Sequence, residues 1–175
     1  MGGDTQKCLL GSNVSRSPAL KPSSMCWACN DTVHYSTFLI AKRAVEVIQN
    51  HTVSGAEKPF FMYLPFQDTH GPGEAPRVYR DAYSTSRIPD PVRRNLAGKL
   101  SVVDEALKNV TDALAANGML QNTVIIYTAD NGGPIATSVV AAKGASMEDG
   151  IGASNWPLRG GKHNAYEGGV RAHGT

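Results

Sequence analysis

The reading of the fold turns on Thr123-Val-Ile-Ile-Tyr-Thr-Ala-Asp-Asn-Gly-Gly133. Val124, Ile125, Ile126 and Tyr127 are β-branched or aromatic, and turn-forming residues close the run before it is long enough for a helix. It therefore reads as a buried strand of a parallel sheet. In open α/β sheets, ligands bind just outside the carboxyl ends of the strands. Asp130 and Asn131 stand at that end and offer hard oxygen ligands, on a backbone that Gly132 and Gly133 allow to turn sharply. On these four residues alone, an Asx-Gly turn is the stronger reading and a metal or polar-ligand site the weaker one. The rest of the chain has to decide between them.

A second apolar run, Pro59-Phe-Phe-Met-Tyr-Leu-Pro-Phe66, reads as another strand and leads into Gln67-Asp-Thr-His70. Residues 71–90 are then a long loop with Pro72, Pro76 and Pro89, and loops of that length in a compact domain usually serve function. Between the two strands the clearest helix runs from about Val92 to Asn117, because Leu96, Leu100, Val103, Leu107, Val110 and Leu114 form one apolar stripe. Asp104 and Lys108 are spaced to support it as an i,i+4 pair. Gly118 suits the position after its last turn, with Met119 packing back. A shorter helix, capped by Ser36 or Thr37, is predicted to run to about Asn50, with Phe38, Ala41, Val45 and Ile48 at helical spacing. Strand, helix, strand makes a βαβ unit with parallel strands joined by a right-handed crossover. His70 and Asp130 then emerge at the same edge of the sheet.

Composition narrows the function classes. At 175 residues the chain is one domain or part of a larger one, and 18 Gly with 10 Pro point to long loops. A net charge of +2 with scattered basic residues gives no sign of a nucleic-acid partner. No apolar run approaches a transmembrane segment, and the amino terminus carries neither a signal region nor a myristoylation pattern. Sequons at Asn13, Asn30, Asn50 and Asn109 favour a glycoprotein of the secretory pathway, lysosomal or secreted, whose signal peptide is missing from this chain. Cys8, Cys26 and Cys29 make an odd count, so one of them pairs outside the segment or stays free. Cys26-Trp-Ala-Cys29 has no second Cys pair to complete a zinc site, and a structural disulfide is the preferred reading.

Downstream, Asn155-Trp-Pro-Leu-Arg-Gly-Gly-Lys-His-Asn-Ala-Tyr-Glu-Gly-Gly-Val-Arg171 completes a set of spaced motifs. With Lys58-Pro-Phe-Phe-Met-Tyr-Leu64, Gln67-Asp-Thr-His70, Asp104-Glu-Ala106, Asn109-Val-Thr111 and Asp130-Asn-Gly-Gly133, the chain resembles the sulfatase family, nearest its arylsulfatase B branch. The resemblance runs from about Tyr35 to Arg171. It implies an α/β fold of the alkaline-phosphatase-like kind, a mainly parallel sheet flanked by helices and incomplete here. It also implies hydrolysis of sulfate esters of sugars or aryl alcohols at a Ca²⁺ site, with a formylglycine nucleophile made from a Cys. Asp130 and Asn131 match two of the family's calcium ligands, an oxygen set suited to Ca²⁺. His70 matches the histidine that holds the sulfate and assists the leaving oxygen, a task suited to an imidazole. Lys162 matches the lysine that contacts the sulfate, where its ammonium stabilises developing charge. Without the resemblance, His70 and Lys162 read as ordinary loop residues. Arg159 and Arg171 read as loop packing at least as readily as site support, and Trp156 as packing.

The family pattern also breaks. Its signature Cys-x-Pro/Ala-x-Arg is approached by Cys26-Trp-Ala-Cys-Asn30 but ends in Asn, too close to the Tyr35 helix to hold the nucleophile. The Asp-Asp pair that supplies the other calcium ligands has no counterpart. The expected organisation is a loop-rich segment 1–34 followed by the central part of a sulfatase catalytic domain at 35–175, truncated at both ends and inactive by itself. The small-residue stretch 134–154 reads as an insertion, more readily flexible than pocket-shaping. Two other readings stay open: a different hydrolase of the alkaline phosphatase superfamily, such as a phosphodiesterase, and a non-catalytic truncated glycoprotein on the same scaffold.

Overall fold

The computed structural model describes residues 35–53, 58–70, 75–135 and 152–174. The three cysteines, the sequons at Asn13 and Asn30, and most of the 134–154 stretch lie outside the described residues.

Helix α1, Ser36–Val53, begins one residue earlier than a Ser36 cap requires and two earlier than a Thr37 cap requires. The Tyr35 carbonyl accepts from the N–H groups of Phe38 and Leu39 and closes the first turn. Thr37 sits inside the helix, fully buried, and its hydroxyl donates to Asp68 at 2.5 Å. Ala41, Ala44 and Ile48 line the buried face at helical spacing.

The 71–90 stretch, read as loop, contains helix α2 at Arg77–Asp81. Two tyrosines dock it on the next helix: Tyr79 donates to Glu105 at 2.5 Å, and the Tyr83 and Ser101 hydroxyls lie 2.7 Å apart. Helix α3, Pro91–Ala116, has 26 residues and extends about 39 Å. Asp90 caps it by accepting from the Val92 N–H at 2.9 Å, and Pro91 occupies the first turn, where its missing N–H costs nothing. At its other end Met119 donates to the Leu114 carbonyl and Gly118 to that of Ala115, with Gly118 at φ 69°. This is the Schellman arrangement that the Gly118-Met119 pair predicts.

The buried stripe of α3 differs from the expected one. Leu96, Lys99, Val102, Val103, Ala106, Ala113 and Leu114 are buried, whereas Leu100 is 48% exposed and Leu107 and Val110 are half-buried. Leu100 and Leu107 instead line a surface cavity with Val103, Tyr83 and Tyr127. The i,i+4 ion pair on the helix surface joins Lys108 to Asp112, not to Asp104. The core cluster joins α1 to the end of α3 through Ile48, Ala113 and Leu114. Phe60, Met62, Met119 and Leu120 pack around it.

Among the described residues neither apolar run belongs to a strand ladder. Residues 59–66 nonetheless alternate in exposure along their length, the period of an extended chain. Phe60 and Met62 face the core, whereas Phe61 and Tyr63 are 90% and 80% exposed. Val124 and Ile126, expected to be buried, are 87% and 79% exposed. The reason is geometric: a central strand is covered by neighbouring strands and by helices on both faces, and no such neighbour occurs among the described residues.

Candidate functional site

The chain leaves α3 through a 3-10 turn at Leu120–Asn122 and runs out along 123–127. From Thr128 onward it is held by the distant segment 155–174. Thr128 forms an antiparallel bridge with Gly174, and Ala129 donates to the His173 carbonyl at 2.8 Å. Gly132 donates to Gly169 at 3.0 Å, and the Lys162 N–H donates to Gly133 at 3.1 Å. The Asn155 side chain closes the junction: its Oδ1 accepts from the Gly133 N–H at 2.9 Å. Its Nδ2 donates to the carbonyls of Gly133 at 2.8 Å and Gly160 at 3.1 Å. Asp130-Asn-Gly-Gly133 is therefore more than a local turn, since its main chain is spoken for by a second loop. Gly132 is required by this packing, because a Cβ there would lie 1.7 Å from the Gly168 carbonyl oxygen.

The second loop is itself stiffly built. Leu158 donates to Asn155 and Gly168 to Arg159, both at 2.8 Å, and the Asn164 side chain accepts from the Gly161 N–H at 3.2 Å. A single-turn helix, α4 at Glu167–Val170, follows. The Arg159 guanidinium lies 3.9 Å from the centre of the Tyr166 ring, a cation–π contact that gives Arg159 a packing role. Trp156, expected to pack, is 87% exposed among the described residues. His163 takes a left-handed φ of 79° and turns the chain just after Lys162. Lys162 is half-buried, with its Cα fixed by the bond to Gly133.

His70 is exposed and ends a tight turn in which its N–H donates to the Gln67 carbonyl at 3.0 Å. Beneath it lies a feature that the sequence reading missed. The Asp68 carboxylate, with a side chain only 5% exposed, accepts from Tyr35 at 2.8 Å and from Thr37 at 2.5 Å. It also pairs with the Lys99 ammonium at 3.3 Å, whose side chain is 4% exposed. The same ammonium donates to the His70 carbonyl oxygen. The signal was present in the sequence: Lys99 sits between Leu96 and Val103 on the apolar face of α3, where an unpaired charge is untenable.

The hydrogen bonds thus bring Asp130, Asn131 and Lys162 to one junction and tie His70 to α1 and α3. Asn131 Nδ2 donates to the Gly132 carbonyl at 2.9 Å, a bond that does not use its Oδ1 acceptor. Asp130 is exposed beside it. Two adjacent side-chain oxygens of this kind fit a hard cation such as Ca²⁺, which takes six to eight oxygen ligands. Among the described residues no three His, Cys, Asp or Glu side chains gather into a metal-binding group.

The chain belongs to the sulfatase family, whose model matches residues 11–172. The match begins upstream of the Tyr35 boundary at which the motifs become recognisable. The chain is 40% identical over 141 residues to arylsulfatase J of Mus musculus, covering 80% of this chain and 20% of that protein. It is 30% identical over 135 residues to N-acetylgalactosamine-6-sulfatase of the same organism, covering 77% and 22% respectively. The chain thus spans about a fifth of the length of these relatives. Among solved structures it superposes on the crystal structure of Ps i-CgsB in complex with k-i-k-neocarrahexaose, with a TM-score of 0.67 and 28% identity. That match covers 80% of this chain and 27% of the other. The fold class is accordingly the alkaline-phosphatase-like α/β fold of the sulfatases, and the family is one of sulfuric ester hydrolases. No helix among the described residues is long and apolar enough to cross a membrane.

Proposed function

We propose that the protein of which this chain forms about a fifth, as judged from its relatives, is a calcium-dependent arylsulfatase-type hydrolase of sulfated sugars or aryl sulfates. The observation that carries this reading is the Gly133–Lys162 hydrogen bond. It joins the Lys162 loop to the Asp130-Asn-Gly-Gly133 segment, which supports a reading in which the cation ligands and the anion-stabilising ammonium serve one site. N-acetylgalactosamine in the name of one relative and k-i-k-neocarrahexaose in the complex of another support a sugar sulfate as the substrate class.

In this reading Asp130 and Asn131 contribute oxygens to the calcium ion, and residues outside the described part supply the rest. A formylglycine and the bound calcium supply, respectively, the nucleophile and the charge that holds the sulfate. The chain's own residues do the remaining work. The Lys162 ammonium, on a backbone anchored at Gly133, stabilises negative charge growing on the sulfuryl oxygens. His70 binds the sulfate and delivers a proton to the departing ester oxygen, a task suited to an imidazole. On this reading Asp130 and Asn131 do not complete the site by themselves, and the 175-residue chain alone is expected to show no turnover. Secretory-pathway residence rests on the four sequons, of which Asn50 and Asn109 are exposed on α1 and α3.

The test is turnover of a model aryl sulfate by the whole protein, with and without a calcium chelator, and in His70→Ala and Lys162→Ala variants. Each variant is expected to lose on the order of 10²–10⁴-fold in kcat/KM. Hydrolysis of a bis-aryl phosphate in preference to the sulfate would establish the phosphodiesterase reading instead. Absence of both activities would leave the scaffold non-catalytic.

A further inference from the structure

We propose that Lys99 and Asp68 form a buried positioning pair for His70, holding the loop that presents its imidazole. The inference rests on the reading of His70 as the residue at the leaving oxygen. Three elements converge on the pair. Tyr35 and Thr37 bring hydroxyls from the start of α1 to the Asp68 carboxylate at 2.8 and 2.5 Å. Lys99 brings its ammonium from the middle of α3, 3.3 Å from Asp68 Oδ1. That ammonium then donates to the main-chain carbonyl of His70 itself.

The wiring is directional. Asp68 lies two residues before His70, and the ammonium spans both, so the short turn between them is clamped at each end. Ordinary core packing does not call for this. An apolar side chain on the stripe of α3 at position 99 would serve packing as well or better, because a buried ion pair is weak evidence for stability. What an apolar residue cannot do is grip a carbonyl. His70 is exposed, and the bond that Lys99 makes to it is to the main chain, so the pair acts on the ring through the backbone that carries it. Catalytic groups held on a loop depend on such support, since a displacement of about 1 Å remote from the chemistry costs roughly 10²-fold in rate.

The experiment is a double-mutant cycle in the whole protein on turnover of an aryl sulfate. It compares Lys99→Met, His70→Ala and the two combined, and adds ring-labelled histidine resonances as a second readout. Lys99→Met is expected to lower kcat about 10–100-fold. In the His70→Ala background the same change should cost less than about threefold, because a positioning residue acts through the group it positions. Asp68→Asn/Lys99→Met, which leaves no orphan buried charge and preserves folding, should match Lys99→Met. The His70 ring signals, assigned by their disappearance in His70→Ala, should move in Lys99→Met.

Losses that multiply in the cycle would overturn the proposal, since they mark a general structural role. So would unchanged turnover in Lys99→Met alongside a crippled His70→Ala. If His70→Ala retained full turnover while Lys99→Met still moved the His70 ring signals, the positioning role would stand. The catalytic reading of His70 would then fall. Full turnover in His70→Ala with unmoved ring signals would overturn both.

Discussion

The main-chain N–H of Lys162 donates to the carbonyl of Gly133 at 3.1 Å, and Asn155 holds both polar groups of that same glycine. The lysine that would face sulfate and the residues that would ligate calcium are therefore parts of one hydrogen-bonded unit. Damage to the junction should disturb both together.

Gly132→Ala tests the closeness of that junction. The added Cβ meets the Gly168 carbonyl oxygen at 1.7 Å, and that oxygen belongs to backbone, so the loops must separate. The expected cost is about 1–3 kcal/mol, as for other overpacked sites. Chemical denaturation of the whole protein measures it, with aryl sulfate turnover falling in parallel. A variant of wild-type stability would refute the packing.

Asn155→Ala removes three hydrogen bonds and leaves the Gly133 N–H without its side-chain acceptor. A loss of about 1–3 kcal/mol is expected for the unsatisfied group, read as a lower unfolding midpoint. Weaker calcium binding by the whole protein should accompany it, because Asp130 and Asn131 adjoin the loosened residue.

The Asp68–Lys99 pair makes a stability prediction apart from its positioning role. Lys99→Met alone strands a carboxylate that is 5% exposed and should destabilise the fold by about 3–5 kcal/mol. Asp68→Asn/Lys99→Met should recover most of that loss. A double variant as unstable as the single one would mean that the charges themselves hold α1 to α3.

Tyr79 sets an alkaline limit on the contact between α2 and α3. Burial, then its hydrogen bond to Glu105 and that residue's charge, push its phenol up from 10.0 to about 12. Only the protonated phenol donates to Glu105, so the folded state holds this proton more tightly than the unfolded chain. The stabilisation is complete below the unfolded pKa of 10.0 and is lost as pH rises through about 12. Tyrosinate absorbance should show a late titration step that Tyr79→Phe deletes, and that variant should have a flatter stability profile above pH 10.0.

The isolated 175-residue chain presents Phe61, Tyr63, Val124 and Ile126 to solvent at 79–90% exposure. It should bind a hydrophobic dye and self-associate, as exposed apolar patches do. Phe61→Lys/Ile126→Lys should reduce both, measured by dye fluorescence and light scattering. It should hydrolyse no aryl sulfate in either form.

Much of this molecule was legible because the governing interactions are local. The helical spacing that predicts α3 and its Gly118-Met119 stop involve residues within one or two turns of each other, and the helix and its stop are found as expected. Thr37 was misread as a cap because a hydroxyl near a helix start suits either role, and Asp68, distant in sequence, claims it. Lys108 chose Asp112 over Asp104 because both lie one turn away on an exposed face, where the difference between pairs is small.

By itself the sequence determined the two long helices, the family motifs and the residue types suited to calcium and sulfate, since each depends on local pattern and side-chain chemistry. Tertiary structure alone decided three things. It locked Asp130-Asn-Gly-Gly133 to the Lys162 loop, put Lys99 under His70, and left Val124 and Ile126 exposed. The physical reason is common to all three. Backbone groups must be satisfied and buried charges paired, but which distant residue meets that demand depends on where the fold brings the chain back upon itself.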